Sequence, residues 1–116
     1  MGISLEKINK WGEKKKTKKL LGVLNNDNTE TRAHAIRALA FGEDPGIINK
    51  LVNFLRDPAP DVRLATLETL GKIDTGKSKE FIRFMLEKEE DEKLISAAKD
   101  ALTAIKEKSE GKEDIA

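Results

Sequence analysis

The chain has 116 residues, enough for one domain that buries roughly two-thirds of its unfolded surface without covalent staples. Charged residues make up 37% and aromatics 4%, with no tyrosine and no cysteine, which excludes disulfides, thiolate metal sites and cysteine nucleophiles. The net charge of +1 names no partner but is unevenly spread: residues 1–20 hold seven Lys against two Glu, and the other 96 hold 15 basic and 19 acidic groups.

Ser4 is placed to cap a first helix, with Ile3, Leu5, Ile8 and Trp11 on its apolar side. Residues 1–16 lie outside the register of the later helices and read as a segment covering one end of the molecule. Lys14, Lys15, Lys16, Lys18 and Lys19 come next. The sequence leaves open whether they belong to one helix bent at Gly12 or sit between two. The run offers a patch for a polyanion.

From Leu20 the chain begins to repeat itself. Leu20, Val23 and Leu24 recur 31 residues later as Leu51, Phe54 and Leu55, and again as Ile82, Met85 and Leu86. Behind each triplet stands a second apolar block: Arg32, Ala35, Ala38, Leu39, then Arg63, Thr66, Thr69, Leu70, then Ile95, Ala98, Ala101, Leu102. A fixed period with two helical segments per unit is the signature of a helical solenoid. Residues 17–45 form repeat one, 46–76 repeat two and 77–108 repeat three. Residues 109–116 have little to bury and are expected as a flexible, frayed tail.

Turns separate the helices. Asn25-Asn26-Asp27-Asn28, Asp57-Pro58-Ala59-Pro60-Asp61 and the segment from Glu87 to Glu92 divide the two helices of the successive repeats. The last is one residue longer, which makes the shift of the third block 32. Gly42-Glu43-Asp44-Pro45-Gly46 and Asp74-Thr75-Gly76-Lys77-Ser78 join one repeat to the next, combining helix stops with new N-caps. No segment alternates as a strand does, so no sheet is expected.

At this point the residues resemble a known family. Val62-Arg63-Leu64-Ala65-Thr66-Leu67-Glu68-Thr69-Leu70-Gly71-Lys72-Ile73 is similar to the second helix of a HEAT repeat, with its Val-Arg, spaced small residues and Leu-Gly-x-Ile. Leu94–Ile105 keeps the pattern with Leu94-Ile95 in place of Val-Arg, and Thr31–Gly42 keeps Arg32, Ala35, Ala38 and Leu39. The short period resembles the HEAT-like repeats of phycobilisome lyases. A tetratricopeptide reading lacks its Tyr, and an ankyrin reading lacks its Thr-Pro-Leu-His start.

The resemblance implies an all-α fold: a right-handed α-α superhelix of about three helical hairpins plus an N-terminal capping helix. First helices form the convex side and second helices the concave side. It also implies that Arg63 bonds to Asp57 or Asp61 and Arg32 to Asp27, each within its own turn, with no counterpart at Ile95. The non-core positions of the second helices then make a partner-binding strip: His34, Arg37, Phe41, Leu64, Glu68, Lys72, Ser96 and Asp100. Its mixed signs and apolar area suit a protein segment better than a phosphate backbone.

Several features mimic chemistry. Gly71, Gly76, Lys77 and Ser78 satisfy the P-loop spacing, but that motif acts only between a strand and a helix, so a chance match is expected and no cofactor. His34 is the only histidine and shows no nucleophile partner, which favours a solvated side chain over a general base. Glu87, Glu89, Glu90, Asp91 and Glu92 alternate with lysines as a solvated turn does. No catalytic residue and no metal site is expected. Trp11, Phe54 and Phe81 read as core, and Phe41 and Phe84 fit the register least well.

Nothing approaches the ~18 apolar residues of a membrane span, so a cytoplasmic protein without membrane attachment is expected. The leading functional reading is a non-catalytic interaction module for another protein. Two alternatives are a nucleic-acid accessory protein working through the lysine run and, by family analogy, a lyase-like or enzyme-associated subunit. Lys99, Lys106 and Lys108 on the outer face of the last helix favour a capped monomer.

Overall fold

The repeated triplets close one continuous core. In the computed structural model, which describes residues 2–42 and 44–115, Leu20, Leu24, Leu51, Leu55, Ile82 and Met85 are buried. The small residues Ala35, Ala38, Thr66, Thr69, Ala98 and Ala101 are buried with them, which lets the second helices approach closely. The buried threonines satisfy their own hydroxyls: Thr66 donates to the Val62 carbonyl at 2.7 Å, and Thr69 donates to the Ile36 carbonyl of a neighbouring helix at 3.4 Å.

Among the described residues seven helices run in order: α1 (Leu5–Glu13), α2 (Thr17–Leu21), α3 (Thr29–Ala38), α4 (Ile47–Leu51), α5 (Pro60–Ile73), α6 (Lys79–Lys88) and α7 (Glu92–Ile115). Single 3-10 segments prolong α3 over Leu39–Phe41 and α4 over Val52–Arg56. Among the described residues there is no strand. Helix α2 with α3, α4 with α5, and α6 with α7 are the hairpins of the three repeats. The second helices α3, α5 and α7 lie side by side as one row.

Local chemistry fixes the ends. Ser4 caps α1 by accepting from Lys7 N–H at 3.1 Å, and Asn28 caps α3 by accepting from Thr31 N–H at 3.0 Å. Pro60 stands in the first turn of α5, where its missing N–H costs nothing. The choice at Gly12 resolves as two helices: α1 ends at Glu13, and Lys15 takes a left-handed φ of 55° before α2. Gly12 itself is buried, because α1 crosses the end of α3 so closely that a Cβ would lie 3.0 Å from Ala38 Cβ.

Three expectations change. Residues 109–115 continue α7 as helix in place of a frayed tail; Lys106 and Glu110 pair at 3.9 Å one turn apart. Phe81 is 54% exposed, because the core stripe of α6 runs through Ile82 and Met85 beside it. Lys108 is half-buried and turns inward to donate to the Gly71 carbonyl, so it does not belong to an outer charged face. Glu43 of the first inter-repeat turn and Ala116 of the tail lie outside the described residues.

Candidate functional site

The row of second helices carries the predicted strip. Arg37, Lys72, Ser96 and Asp100 lie along it, and Phe41 is 57% exposed. Arg37 on α3 reaches Glu68 on α5, donating through Nε at 3.2 Å and Nη2 at 2.9 Å to one carboxylate oxygen. Both side chains remain about half exposed, so this pair orients more than it stabilises. Between α5 and α7 runs a groove of about 340 Å3, bordered by Leu64, Glu68, Lys72 and Asp100 over a floor of Gly71, Ala97 and Ala101.

His34 and Phe41 of the strip do not line that groove, and Leu64 at its border is partly covered. His34 is half-buried, with Nδ1 3.2 Å from the Glu30 carbonyl oxygen of its own helix. Phe41 lies toward α1, where a Cβ on Gly12 would come within 3.1 Å of its ring. Leu64 is half-buried and packed on the core, and is less exposed than its register suggests.

Behind the strip stands a ladder of ions, in a different register from the one expected. Arg32 donates to Asp57 at 3.1 and 3.2 Å, and Arg63 donates to Glu89 at 3.1 Å. Each arginine therefore reaches the turn of the following repeat, and neither bonds to the Asp27 or Asp61 carboxylate. The cause is geometric. One guanidinium nitrogen is already held by carbonyls of its own turn, those of Asn26 and Asp27 for Arg32 and those of Asp57 and Pro58 for Arg63. The planar group then presents its other edge forward. Asn26, Asp57 and Glu89 occupy one equivalent position, each accepting from the N–H two residues on. Ile95 takes the arginine position in the third repeat.

The P-loop spacing resolves into a helix junction. Helix α5 ends at Ile73 and α6 starts at Lys79, so no strand leads into it. Asp74 is buried, and its carboxylate accepts from Lys77 N–H at 3.0 Å, Ser78 N–H at 2.7 Å and the Ser78 hydroxyl at 2.5 Å. An internal carboxylate thus holds the donors that a phosphate would need. Ser78 stands at the N-cap position of α6, as expected, but its hydroxyl serves Asp74 and makes no cap bond itself. Burial resists ionisation of Asp74, but the hydrogen bonds from Ser78, Gly76 and Lys77 outweigh it and hold the carboxyl below its ordinary range. Burial also lowers Lys108, with nearby Asp74 opposing.

Lys14, Lys15 and Lys16 sit at the corner between α1 and α2, and Lys18 and Lys19 lie within α2. Trp11, the aromatic nearest to them in sequence, is covered by Lys7 at 5.5 Å and Lys19 at 5.6 Å from its ring centre. At these distances both ammonium groups are within cation-π reach of the indole ring. Among the described residues no group of His, Asp and Glu is arranged to hold a metal.

A second concavity lies outside the predicted strip. Val52 and Leu55 of the 3-10 segment, with Phe81, Phe84 and Met85 of α6, enclose a groove of about 570 Å3. Sequence reasoning missed it by reading Phe81 as core. The available signal was the recurrence of Phe81, Phe84 and Lys88 at helical spacing beside the buried stripe.

Paired helices whose second members form one row, linked by forward-reaching arginines, define an α-solenoid of helical hairpins. Residues 17–103 match the HEAT repeats family, and the chain belongs to that family. No curated protein and no solved structure gives a significant match.

Proposed function

We propose that the protein is a non-catalytic interaction module that holds a segment of another protein on the concave face of its second helices. HEAT repeats in general serve as protein-interaction scaffolds, and no helix among the described residues is long and apolar enough to cross a membrane. The observation that carries the reading is the groove between α5 and α7, where an apolar floor of Gly71, Ala97 and Ala101 is rimmed by Glu68, Lys72 and Asp100. A small-residue floor admits side chains or backbone of a partner, and a rim of both signs supplies register. The scarcity of aromatic residues, 4% of the chain, weighs against nucleic-acid stacking at the lysine corner.

The charge-swapped double variant Arg37→Glu, Glu68→Lys tests this directly. The pair is kept with its sign reversed, so the thermal melt should match wild type. Affinity capture from cells that make the protein should lose its bound partner. A folded double variant that captures the same protein equally well would sink the reading.

A further inference from the structure

The groove between Val52–Arg56 and α6 lies on the first-helix side, away from the concave strip and the lysine corner. Its apolar character is concentrated: Phe81 and Phe84, two of the three large hydrophobic residues exposed among the described residues, stand three residues apart on one face of α6. Val52 and Leu55 of the 3-10 segment and Met85 of α6 line the groove beside them. Exposed aromatic pairs of this kind cost solubility and mark a surface that another molecule covers.

Charge at the rim says which kind. The two acids of the groove are neutralised within the chain: Glu89 by Arg63 at 3.1 Å, and Glu80 by Arg83. The cations Arg56 and Lys88 have no carboxylate partner among the described residues. Lys88 lies over the Phe84 ring at 4.3 Å from its centre, which holds its charge at the edge of the apolar floor. The groove therefore presents aromatic rings flanked by unpaired positive charge. Its walls are two helical segments, and a third helix packs between two others as a ridge in a groove.

We propose that this outer groove binds an acidic amphipathic helix of a partner protein, with apolar side chains between Phe81 and Phe84 and carboxylates on Arg56 and Lys88. An apolar stripe one turn apart meets the two rings, and acids flanking the stripe meet the two cations.

A displayed library of random peptides about four helical turns long, panned against the intact chain, tests this. The expected winners carry apolar residues three or four apart, flanked by Glu and Asp. As labelled peptides, they should lose about tenfold or more in affinity for Phe81→Ala/Phe84→Ala. A similar loss is expected for Arg56→Glu/Lys88→Glu, whose solvent-facing changes also keep the test valid if the aromatic variant folds poorly. Circular dichroism checks that both variants stay helical. Absence of enriched peptides, enriched peptides that are basic, or binding unchanged in both variants would overturn the proposal. So would sedimentation that shows a dimer abolished by Phe84→Ala, since the groove would then be covered by a second copy. The concave-face reading is untouched by any of these outcomes, because none of the four residues lies on the second helices.

Discussion

The two junctions between repeats are built from the same spacing but finished differently. Between α3 and α5 the exposed face is bridged by Arg37 and Glu68, and the buried side by the Thr69 hydroxyl on the Ile36 carbonyl. Between α5 and α7 that bridge is replaced by Gly71, which comes so near that a Cβ would lie 3.3 Å from Ala101 Cα. The polar fastening moves to the far end, where Lys108 holds the Gly71 carbonyl and Asp74 closes the turn. The position of Gly71 in the preceding repeat is Ala40, which carries the methyl group that the second junction has no room for. The second junction, with its small-residue floor, is where the groove opens, and Glu68 of the bridge stands on its rim.

Three sets of substitutions probe that contrast, and the largest effect concerns what the junctions share. Arg63→Ala strands Glu89, whose side chain is only 9% exposed, and Arg32→Ala strands Asp57 in the same way. Each should cost about 3 kcal/mol in urea unfolding, the order found when one partner of a buried pair is removed. Equal losses establish that the ladder fastens both junctions alike. Next comes Gly71→Val, which acts on the second junction alone. Overpacking against α7 should cost about 2 kcal/mol. Ala40→Val, at the bridged junction, should cost measurably less, and equal costs would erase the distinction between the two.

The smallest effect is a pH dependence seated at Asp74. Its folded carboxyl lies below the ordinary value of 3.8, so its contribution is complete above that value and fades as pH falls through the lower, folded one. Asp74→Asn should therefore cost about 1 kcal/mol at neutral pH. The gap between the wild-type and variant melts should close on acidification. A constant gap would mean that the charge contributes nothing.

Periodicity made the fold legible. Leu20, Leu51 and Ile82 are one register position, and the amphipathic stripe assigns each to the core without reference to any neighbour. The forward reach of Arg32 and Arg63 was not legible, because it depends on how one repeat is rotated on the next. The exposure of Phe81 escaped for the same reason: it adjoins Ile82 in sequence, and only the position of the Val52–Arg56 segment leaves its ring uncovered. At the candidate strip, Arg37 and Glu68 were legible as strip residues but not as partners; they stand one repeat of 31 residues apart, and the structure joins them. The half-burial of Leu64 arises where α7 packs along α5, a contact between repeats that no single helix encodes.

The ladder also has blank ends. Asn26, equivalent to Asp57 and Glu89, offers a neutral amide where an incoming arginine would need a carboxylate, and Ile95 offers an alkyl chain where an outgoing arginine would stand. Copies set head to tail would thus meet amide against hydrocarbon, with no ionic latch to fix their register. The same two positions are where the ladder stops: Asp in place of Asn26 and Arg in place of Ile95 would supply the acceptor and donor of an internal rung.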